Sequence, residues 1–230
     1  MVRIFDGIPI NPVLIISGWI ASILVIAILI RLNPEFNNDE LAEYATLGAY
    51  VFVLQTIPIP LKVVPVVLTL SGVPLVIMVK GVKRGLLISA SAIFLNHALI
   101  PGSLSMLGID MINMLFAGFV AGLVPSYIYR KMGKRVRYLS GFIAGIIYFA
   151  VISVLIVLEM RVSTVDISVT NIAYLFLFAI FILGLLEGFL TAIGSSYYYR
   201  SRQKVPKETI EEEASEQDDE LELIRFLDDD

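Results

Sequence analysis

The sequence predicts an all-α membrane protein with seven transmembrane helices, its N-terminus outside and its C-terminus in the cytoplasm. Of the 230 residues, 57% are hydrophobic and 17% are charged, and the mean hydropathy is +0.85. Because a spanning helix takes about 20 apolar residues, a chain of this length has room for about seven spans joined by short loops. No residues are left over for a soluble enzyme domain.

Seven apolar segments are separated by loops that contain charges, proline or glycine. The first is an uncharged run that holds the only tryptophan, Trp19, between Pro12 and Arg31. No small-residue cleavage site follows it, so we expect a retained span and not a signal peptide. The seven predicted spans are 13–30, 44–57, 63–79, 86–100, 109–129, 139–158 and 172–199.

The second and fourth spans are short, because they end before Pro58 and Pro101. Broken spans are tolerated where they line a protein interior, and in transporters such interruptions point to binding sites. Ordinary helix ends at proline and glycine are the alternative. Close helix packing is predicted at glycines that lie one helical turn apart, namely Gly141 with Gly145 and Gly184 with Gly188.

The distribution of basic residues determines the predicted orientation. With seven spans, thirteen Lys and Arg residues fall on one side of the membrane and three, Arg3, Lys62 and Arg161, fall on the other. Basic loops stay in the cytoplasm, so the N-terminus is predicted outside and the C-terminus inside. An even number of spans would mix the two sets, because every loop after the missed helix would change sides.

The C-terminal tail differs in charge from the rest of the chain. Residues 207–230 carry 12 acidic and 2 basic side chains, whereas residues 1–206 carry 9 acidic and 15 basic ones. A segment with so many charges cannot bury itself. The predicted domains are therefore a transmembrane helical bundle over 1–206 and an acidic, disordered cytoplasmic tail over 207–230.

The composition excludes most catalytic and metal chemistry. The chain has no cysteine and a single histidine, His97, which excludes disulfides, iron–sulfur clusters, thiolate metal sites and His-rich cages. It also lacks the sequence motifs of nucleotide hydrolysis, zinc proteases and serine hydrolases. We therefore expect neither an enzyme nor a nucleic-acid partner.

A few polar residues lie at membrane depth in the predicted spans. An ionisable group there costs about 2.5–3.5 kcal/mol by insertion scales, so Glu187 either bonds a neighbouring helix, the commoner arrangement, or faces a cation. His97 is the only side chain that is a conventional nitrogen donor for a transition metal. The alternative is that His97 binds no metal and is hydrogen-bonded within the bundle. Asp110 and Asn113 share a helix face, and capping the helix is a second role for Asp110.

Several segments resemble the CbiM/NikM family, the membrane-embedded substrate-binding subunits of energy-coupling-factor (ECF) importers for cobalt and nickel. Residues 49–55 (AYVFVLQ) followed by Pro60 resemble the AFVFAAQ…P segment of that family. Residues 107–114 (LGIDMINM) resemble its LGxNxxNM stretch, 187–191 (EGFLT) its EGxxT motif and 6–7 (DG) its N-terminal PDG. The similar segments follow the same order in both, from the N-terminus to the last span.

The resemblance implies a fold in which the first helix is added to a six-helix core and the N-terminus is threaded inward from outside. In the family, the N-terminal amine, a histidine at the second position and the histidine of an SGH motif form a nearly planar set of nitrogens, which suits nickel. Here Val2 follows Met1, and the SGH histidine is matched by Val73 or, in another register, by Thr69. Asp110 stands where the family usually has Asn.

The candidate site residues follow from these matches and from the polar positions in the spans. The expected metal donors are the amino group of Met1 and the ring of His97. Cobalt or nickel would be the transported substrate, and no other cofactor is implied. The remaining expected substrate contacts are polar side chains of the predicted spans: Gln55, Thr69, Asp110 and Asn113.

The resemblance also implies partners, namely a transmembrane coupling protein and ATPase subunits. Ala45 and Ala49 resemble the small-residue stripe by which such subunits contact the coupling protein, and plain helix packing is the alternative. The leading hypothesis is a substrate-capture subunit of an ECF importer in the cell membrane. The alternatives are a scaffolding membrane subunit that has lost metal binding and a capture subunit for a different small solute.

Overall fold

Most of the described chain is helical, as the sequence predicts. The structure is a computed structural model, and it describes residues 3–4, 11–33, 40–61, 66–99, 104–132, 137–163 and 168–203. Three short strands form one sheet: β1 (Arg3–Ile4), β2 (Ile59–Leu61) and β3 (Val66–Leu68). The α-helices are α1 (Pro12–Leu32), α2 (Leu41–Gln55), α3 (Val73–Lys80), α4 (Val82–Leu99), α5 (Leu107–Met132), α6 (Arg137–Val162), α7 (Val169–Leu177) and α8 (Leu185–Gln203).

Four helical segments of the described chain are long and apolar enough to cross a membrane, and they correspond to the first, fifth, sixth and seventh predicted spans. The second and fourth predicted spans are helices as well, α2 with 15 residues and α4 with 18. The four long segments are Pro12–Leu32, Leu104–Leu123, Tyr138–Val162 and Val169–Arg200.

Helix α1 shows why some boundaries are predictable. The side-chain oxygen of Asn11 accepts a hydrogen bond from the N–H of Val13 at 3.0 Å. Pro12 occupies the first helical position, where no backbone donor is needed. Arg31 lies in the last turn, where a positive charge complements the helix dipole. The predicted span 13–30 therefore agrees with the helix to within two residues at each end.

The prediction of one helix over 63–79 is wrong. Within that range the structure describes residues from 66 onwards, where Val66–Leu68 is a strand and only Val73–Lys80 is helical. Residues 63–68 are rich in valine, whose branched side chain favours strands. Gly72 then adopts a left-handed conformation, with φ of 67°, which a continuous helix does not contain. Hydropathy alone does not separate a buried strand from a buried helix.

The small sheet is an addition to the predicted all-α class. Strand β3 lies in the middle, with β1 and β2 antiparallel on either side. Arg3 pairs with Val67 and Ile4 with Val66. Because the pairing is antiparallel, the chain going back from Ile4 to Arg3 runs alongside β3 towards Leu68 and the start of α3. Arg3–Ile4 thus adds a third strand to the β2–β3 hairpin, which precedes α3.

Glycines allow close packing between α6 and α8, as predicted. A Cβ atom on Gly145 would collide with the backbone of Gly188, and one on Gly188 would lie 2.6 Å from the carbonyl oxygen of Phe142. Small residues of this kind drive helix association in lipid, where apolar side chains give no advantage over lipid tails. Helix α1 packs in the same way on α5, since a Cβ on Gly18 would lie 2.9 Å from the backbone nitrogen of Ile109.

The last predicted span contains an irregular segment. Between α7 and α8 the chain forms a π-helix over Phe178–Gly184, a rare geometry that occurs frequently at functional sites. The chain divides into two units, Met1–Ser195 and Ser196–Asp230. Of the second unit, the structure describes only residues 196–203, which continue α8. The predicted tail 207–230 lies outside the described residues.

Candidate functional site

Glu187, in the first turn of α8, binds the backbone just before α3. Its side chain is fully buried, and its carboxylate accepts hydrogen bonds from the N–H of Gly72 at 2.7 Å and the N–H of Ser71 at 3.0 Å. The Ser71 hydroxyl donates to the same carboxylate at 3.4 Å. Gly72, the N-cap residue of α3, has no side chain that could cap the helix, and Glu187 supplies the acceptor for the Gly72 N–H. The hydrogen-bonded alternative for Glu187 agrees with this geometry.

The Ser71–Gly72 turn has room only for glycine at its second position. Besides its left-handed backbone, a Cβ on Gly72 would lie 2.9 Å from Cε1 of Tyr50. Val73 follows, fully buried, and its Cγ1 lies 2.7 Å from where a Cβ on Gly118 would stand. In the register that matches Ser71-Gly72 to the family's SG, Val73 takes the place of the histidine. An apolar side chain packed in the core therefore stands where that motif has a nitrogen ligand.

His97 and Asp110 form a buried pair between α4 and α5. The histidine Nε2 lies 3.0 Å from Oδ2 of Asp110, and Nδ1 lies 3.0 Å from the carbonyl oxygen of Ile93. Both ring nitrogens thus have partners, and a metal at Nε2 would have to displace Asp110. Asp110 is the fourth residue of α5, so its bond to His97 replaces the predicted capping role.

Asn113 extends this polar contact to a third helix. It lies one turn after Asp110 on α5, and its side-chain amide donates to Oε1 of Glu159, on α6, at 2.5 Å. The shared helix face that the spacing of Asp110 and Asn113 predicts is thus used for two different polar contacts. We call the four side chains that link α4, α5 and α6 the polar row: His97, Asp110, Asn113 and Glu159.

Two buried side-chain amides, those of Gln55 and Asn96, have no partner among the described residues. Gln55, at the C-terminal end of α2, and Asn96, beside His97, are each at most 1% exposed. Neither the amide oxygen nor the amide nitrogen of either side chain makes a hydrogen bond within the described part of the chain. Buried amides are rarely left unpaired in native proteins, so we expect water or a solute to complete their hydrogen bonds.

Comparison with known proteins identifies the family. The family model described as cobalt uptake substrate-specific transmembrane region, CbiM, matches residues 4–205. The chain belongs to the CbiM family. It is accordingly a multi-pass membrane protein and a component of metal-ion transport, and not an enzyme. These predictions from the sequence, and the resemblance on which they rest, are confirmed.

Two solved structures share the fold. One, described as a transition metal transporter, has a TM-score of 0.71 and 16% sequence identity, covering 88% of this chain and 95% of the other. A truncated transition metal transporter has a TM-score of 0.67 and 16% identity, covering 86% of this chain and 99% of the other. No curated protein matches the chain in sequence.

An apolar groove lies between α2 and α4 of this CbiM-family protein. Its volume is about 540 Å³, and Ala45, Gly48, Ala49 and Ala92 are among the residues that line it. Ala45 and Ala49 are both exposed. Short side chains let another helix approach closely. The two alanines predicted at a partner interface thus lie on an accessible surface.

Charged residues join the start of α2 to the corner between α3 and α4. Lys80 Nζ lies 2.6 Å from Glu43 and 3.5 Å from Glu40, and Arg84 lies 2.9 Å from Glu40. Tyr44 donates a further hydrogen bond to Glu40. This hydrogen bond, followed by the charges of Lys80 and Arg84, lowers the pKa of Glu40 despite its partial burial. We call this group the corner network.

The structure brings some of the predicted site residues together and leaves others apart. His97 and Asp110 are bonded, and Asn113 lies beside Asp110 in the polar row. Thr69 is buried in the segment between β3 and the Ser71–Gly72 turn. Met1 lies outside the described residues. Among the residues that the structure does describe, no three His, Cys, Asp or Glu side chains are arranged to hold a metal.

Sequence reasoning did not include the turn among the site residues. Ser71 and Gly72 are the backbone partners of Glu187, and the match of this dipeptide to the family's SG was the available signal. The metal-binding roles of Met1 and His97, and the substrate contacts of Gln55, Thr69, Asp110 and Asn113, stay predictions.

Proposed function

We propose that this protein is the substrate-capture subunit of an ECF importer and that its cargo is a divalent transition metal ion, cobalt or nickel. Family membership supports a metal-uptake role, and the related solved folds are described as transition metal transporters. The observation that carries the proposal is the pairing of β1 with β3. It brings Arg3 alongside Val67, in the strand that leads to the turn bound by Glu187.

The strand pairing supports a role for the N-terminal amine. Two residues precede Arg3, and extended chain spans at most about 3.6 Å per residue, so the amine of Met1 is within about 7 Å of the Arg3 nitrogen. We propose that residues 1 and 2 continue antiparallel to β3, which would bring the amine close to Thr69. We propose this amine as the first nitrogen ligand, as in the family. Thr69, Gln55, Asp110 and Asn113 are proposed as polar contacts around the cargo.

His97 is proposed as the second nitrogen donor. Its Nε2 is 3.0 Å from Asp110, so metal binding there requires the carboxylate to move or to join the coordination. Neutral imidazole and carboxylate are both accepted by divalent transition metals. The Asp110 side chain is thus the partner of the histidine Nε2 when no cargo is bound. The contact with His97 also explains why a carboxylate is tolerated at position 110, where the family usually has Asn.

The orientation is part of the proposal. Seven crossings, with α3 and the extended segment before it serving as the third, place the N-terminus and the β-sheet outside and the corner network in the cytoplasm. A non-helical stretch is tolerated at membrane depth when protein surrounds it, and Thr69, Ser71 and Gly72 are buried. The groove that contains Ala45 and Ala49 then faces the membrane, where we propose that the coupling protein binds, with ATPase subunits below it.

Metal analysis and titration calorimetry of the purified chain test the cargo. We expect one nickel or cobalt ion per chain, and we expect an extension of the N-terminus by one glycine residue to abolish binding because it displaces the amine. A C-terminal extension of the same length is the matched control. No bound metal, together with no uptake in the presence of coupling subunits, would reject a metal cargo.

Two observations favour a second function, the scaffolding subunit. Val73, which takes the place of a family ligand in one of the two registers, is packed in the core, and both ring nitrogens of His97 already have partners. Co-purification with proteins other than a coupling protein and an ATPase pair would support this alternative. Stabilisation of the purified chain by a solute other than a metal, seen as a raised Tm, would support a different cargo instead.

A further inference from the structure

We propose that Glu187 is a positioning residue for the substrate site: its carboxylate holds the Ser71–Gly72 turn in place and thereby fixes the end of β3 along which the N-terminal strand pairs. This inference deepens the proposed function and rests on it for the metal-binding part only. The role of Glu187 in shaping the turn stands on the geometry of the described residues.

Backbone N–H groups of the described residues donate to the Glu187 carboxylate. Both oxygens accept hydrogen bonds, Oε2 from the N–H of Ser71 at 3.0 Å and Oε1 from the N–H of Gly72 at 2.7 Å. In the part of the chain that the structure describes, no Lys, Arg or His nitrogen lies within 4.0 Å of it. A carboxylate with two backbone donors fixes the dihedral angles of the residues that carry them, because each N–H must point at its own oxygen.

The helical segment around Glu187 is packed tightly against α6. Its neighbour Gly188 packs on α6 so closely that a Cβ there would lie 2.6 Å from the carbonyl oxygen of Phe142. One turn before it, a Cβ on Gly184 would lie 3.2 Å from the Cα of Ile146. Backbones in such contact cannot slide without a collision. The position of the Glu187 carboxylate relative to the Ser71–Gly72 turn is therefore fixed.

A second helix confines the turn as well. The ring of Tyr50, on α2, lies against Gly72, while Glu187 binds it from α8. The hydroxyl of Ser71 also accepts the N–H of Val73 at 3.2 Å, which joins the turn to the first residue of α3. Only Thr69 and Leu70 separate the turn from the end of β3. A displacement of the turn would therefore shift the strand that pairs with β1.

The test compares Glu187→Gln with the wild type in the full-length chain. Glutamine has nearly the same size, but its NH₂ group cannot accept a hydrogen bond, so Ser71 or Gly72 loses its acceptor. Thr191→Val is the matched control, since Thr191 lies one turn further on α8, is fully buried and its hydroxyl makes no hydrogen bond among the described residues. Measurements are the nickel Kd, the Tm and amide hydrogen exchange of peptides covering 66–80.

For Glu187→Gln we expect a nickel Kd raised about 10- to 100-fold, the usual effect of losing an outer-shell partner. Exchange in 66–80 should be at least about tenfold faster, with exchange elsewhere in the bundle unchanged. Thr191→Val should match the wild type in both. A lower Tm with unchanged Kd would show a purely structural role and overturn the proposal.

The exchange measurement separates this inference from the proposed function. If the wild type binds no metal, the cargo proposal fails. Whether or not metal binds, unchanged hydrogen exchange of residues 66–80 in Glu187→Gln would overturn the positioning role. If Glu187→Gln does not fold, Ser71→Ala takes its place. That variant removes the hydroxyl contact and the acceptor of the Val73 N–H, so faster exchange in 66–80 is expected, and wild-type exchange there would overturn the proposal.

Discussion

Helix α3 is held at both ends by carboxylates from other parts of the chain, and the two joints differ in burial. At its start, Glu187 is fully buried and binds backbone N–H groups. At its end, Lys80, whose side chain is 6% exposed, binds Glu43 at 2.6 Å and Glu40, which is 26% exposed, at 3.5 Å. Water can reach Glu40 and Arg84 at the more exposed joint, but it cannot reach Glu187 at the buried one. The same chemical group should therefore contribute very differently to stability at the two ends.

The largest expected effect is that of Glu187→Ala. Two buried N–H groups lose their acceptor, and each costs about 1–3 kcal/mol when unpaired, so the free energy of unfolding should fall by about 2–6 kcal/mol. Unfolding by denaturant in detergent micelles measures this loss. Thr191→Val, on the same helix, should change stability little. Equal stability of Glu187→Ala and the wild type would contradict the buried joint.

Gly72→Ala should rank second. A left-handed backbone costs an alanine about 1–2 kcal/mol, and the collision with Tyr50 adds about 1–3 kcal/mol of overpacking. Thermal unfolding of the purified variant measures the sum. Because the second part depends on the ring, Gly72→Ala and Tyr50→Ala together should cost less than the two single losses added. Strict additivity would show that Tyr50 does not confine the turn.

Glu40→Gln should have a much smaller effect. Lys80 keeps its closer partner Glu43 in this variant, and the Arg84 side chain that binds Glu40 is 45% exposed. Exposed ion pairs contribute little to stability, so we expect the Tm to fall by about 1–2 °C at low salt. At 1 M salt, where the screening length is about 3 Å, this difference should disappear. The loss caused by Glu187→Ala should persist at the same salt. A salt-independent loss in Glu40→Gln would mean that the corner network is effectively buried.

The pH dependence of the exposed joint gives the smallest effect. The pKa of Glu40 is lowered, chiefly by the hydrogen bond from Tyr44, below its ordinary value of 4.5. Its charged form therefore stabilises the folded state above that pH, and the contribution is lost as the pH falls through the lowered pKa. The Tm difference between wild type and Glu40→Gln should shrink below pH 4.5. A difference that stays constant down to about pH 2, below the usual range of carboxyl pKa values, would exclude this linkage.

How much of the fold was predictable depended on whether the signal was local. The start of α1 was predictable because Asn11 and Pro12 act within one turn. The shared face of Asp110 and Asn113 follows from helix geometry. The range 63–79 was predicted wrongly, because hydropathy reports burial and leaves the choice between strand and helix open. The π-helix over Phe178–Gly184 has no sequence signal that we recognise.

The candidate site was less predictable than the fold. His97 and Asp110 were both selected for their chemistry, but their bond joins two helices, and no residue pattern shows it. Glu187 was recognised as needing a partner because of the cost of a charge in lipid. Its partners are backbone groups more than a hundred residues away in the chain, and any residue type has a backbone N–H.

The sequence alone determined that this protein lies in a lipid bilayer, and it determined most of the helices. The free energy of placing a residue in lipid is a property of each side chain, and it adds up along a segment. The sequence also determined the family, since matching motifs recur in order. Only the tertiary structure decided that Val73 is packed in the core, that Asp110 bonds His97, and that Glu187 caps α3. Those outcomes depend on which groups lie within about 3 Å of each other, a distance that local patterns do not encode.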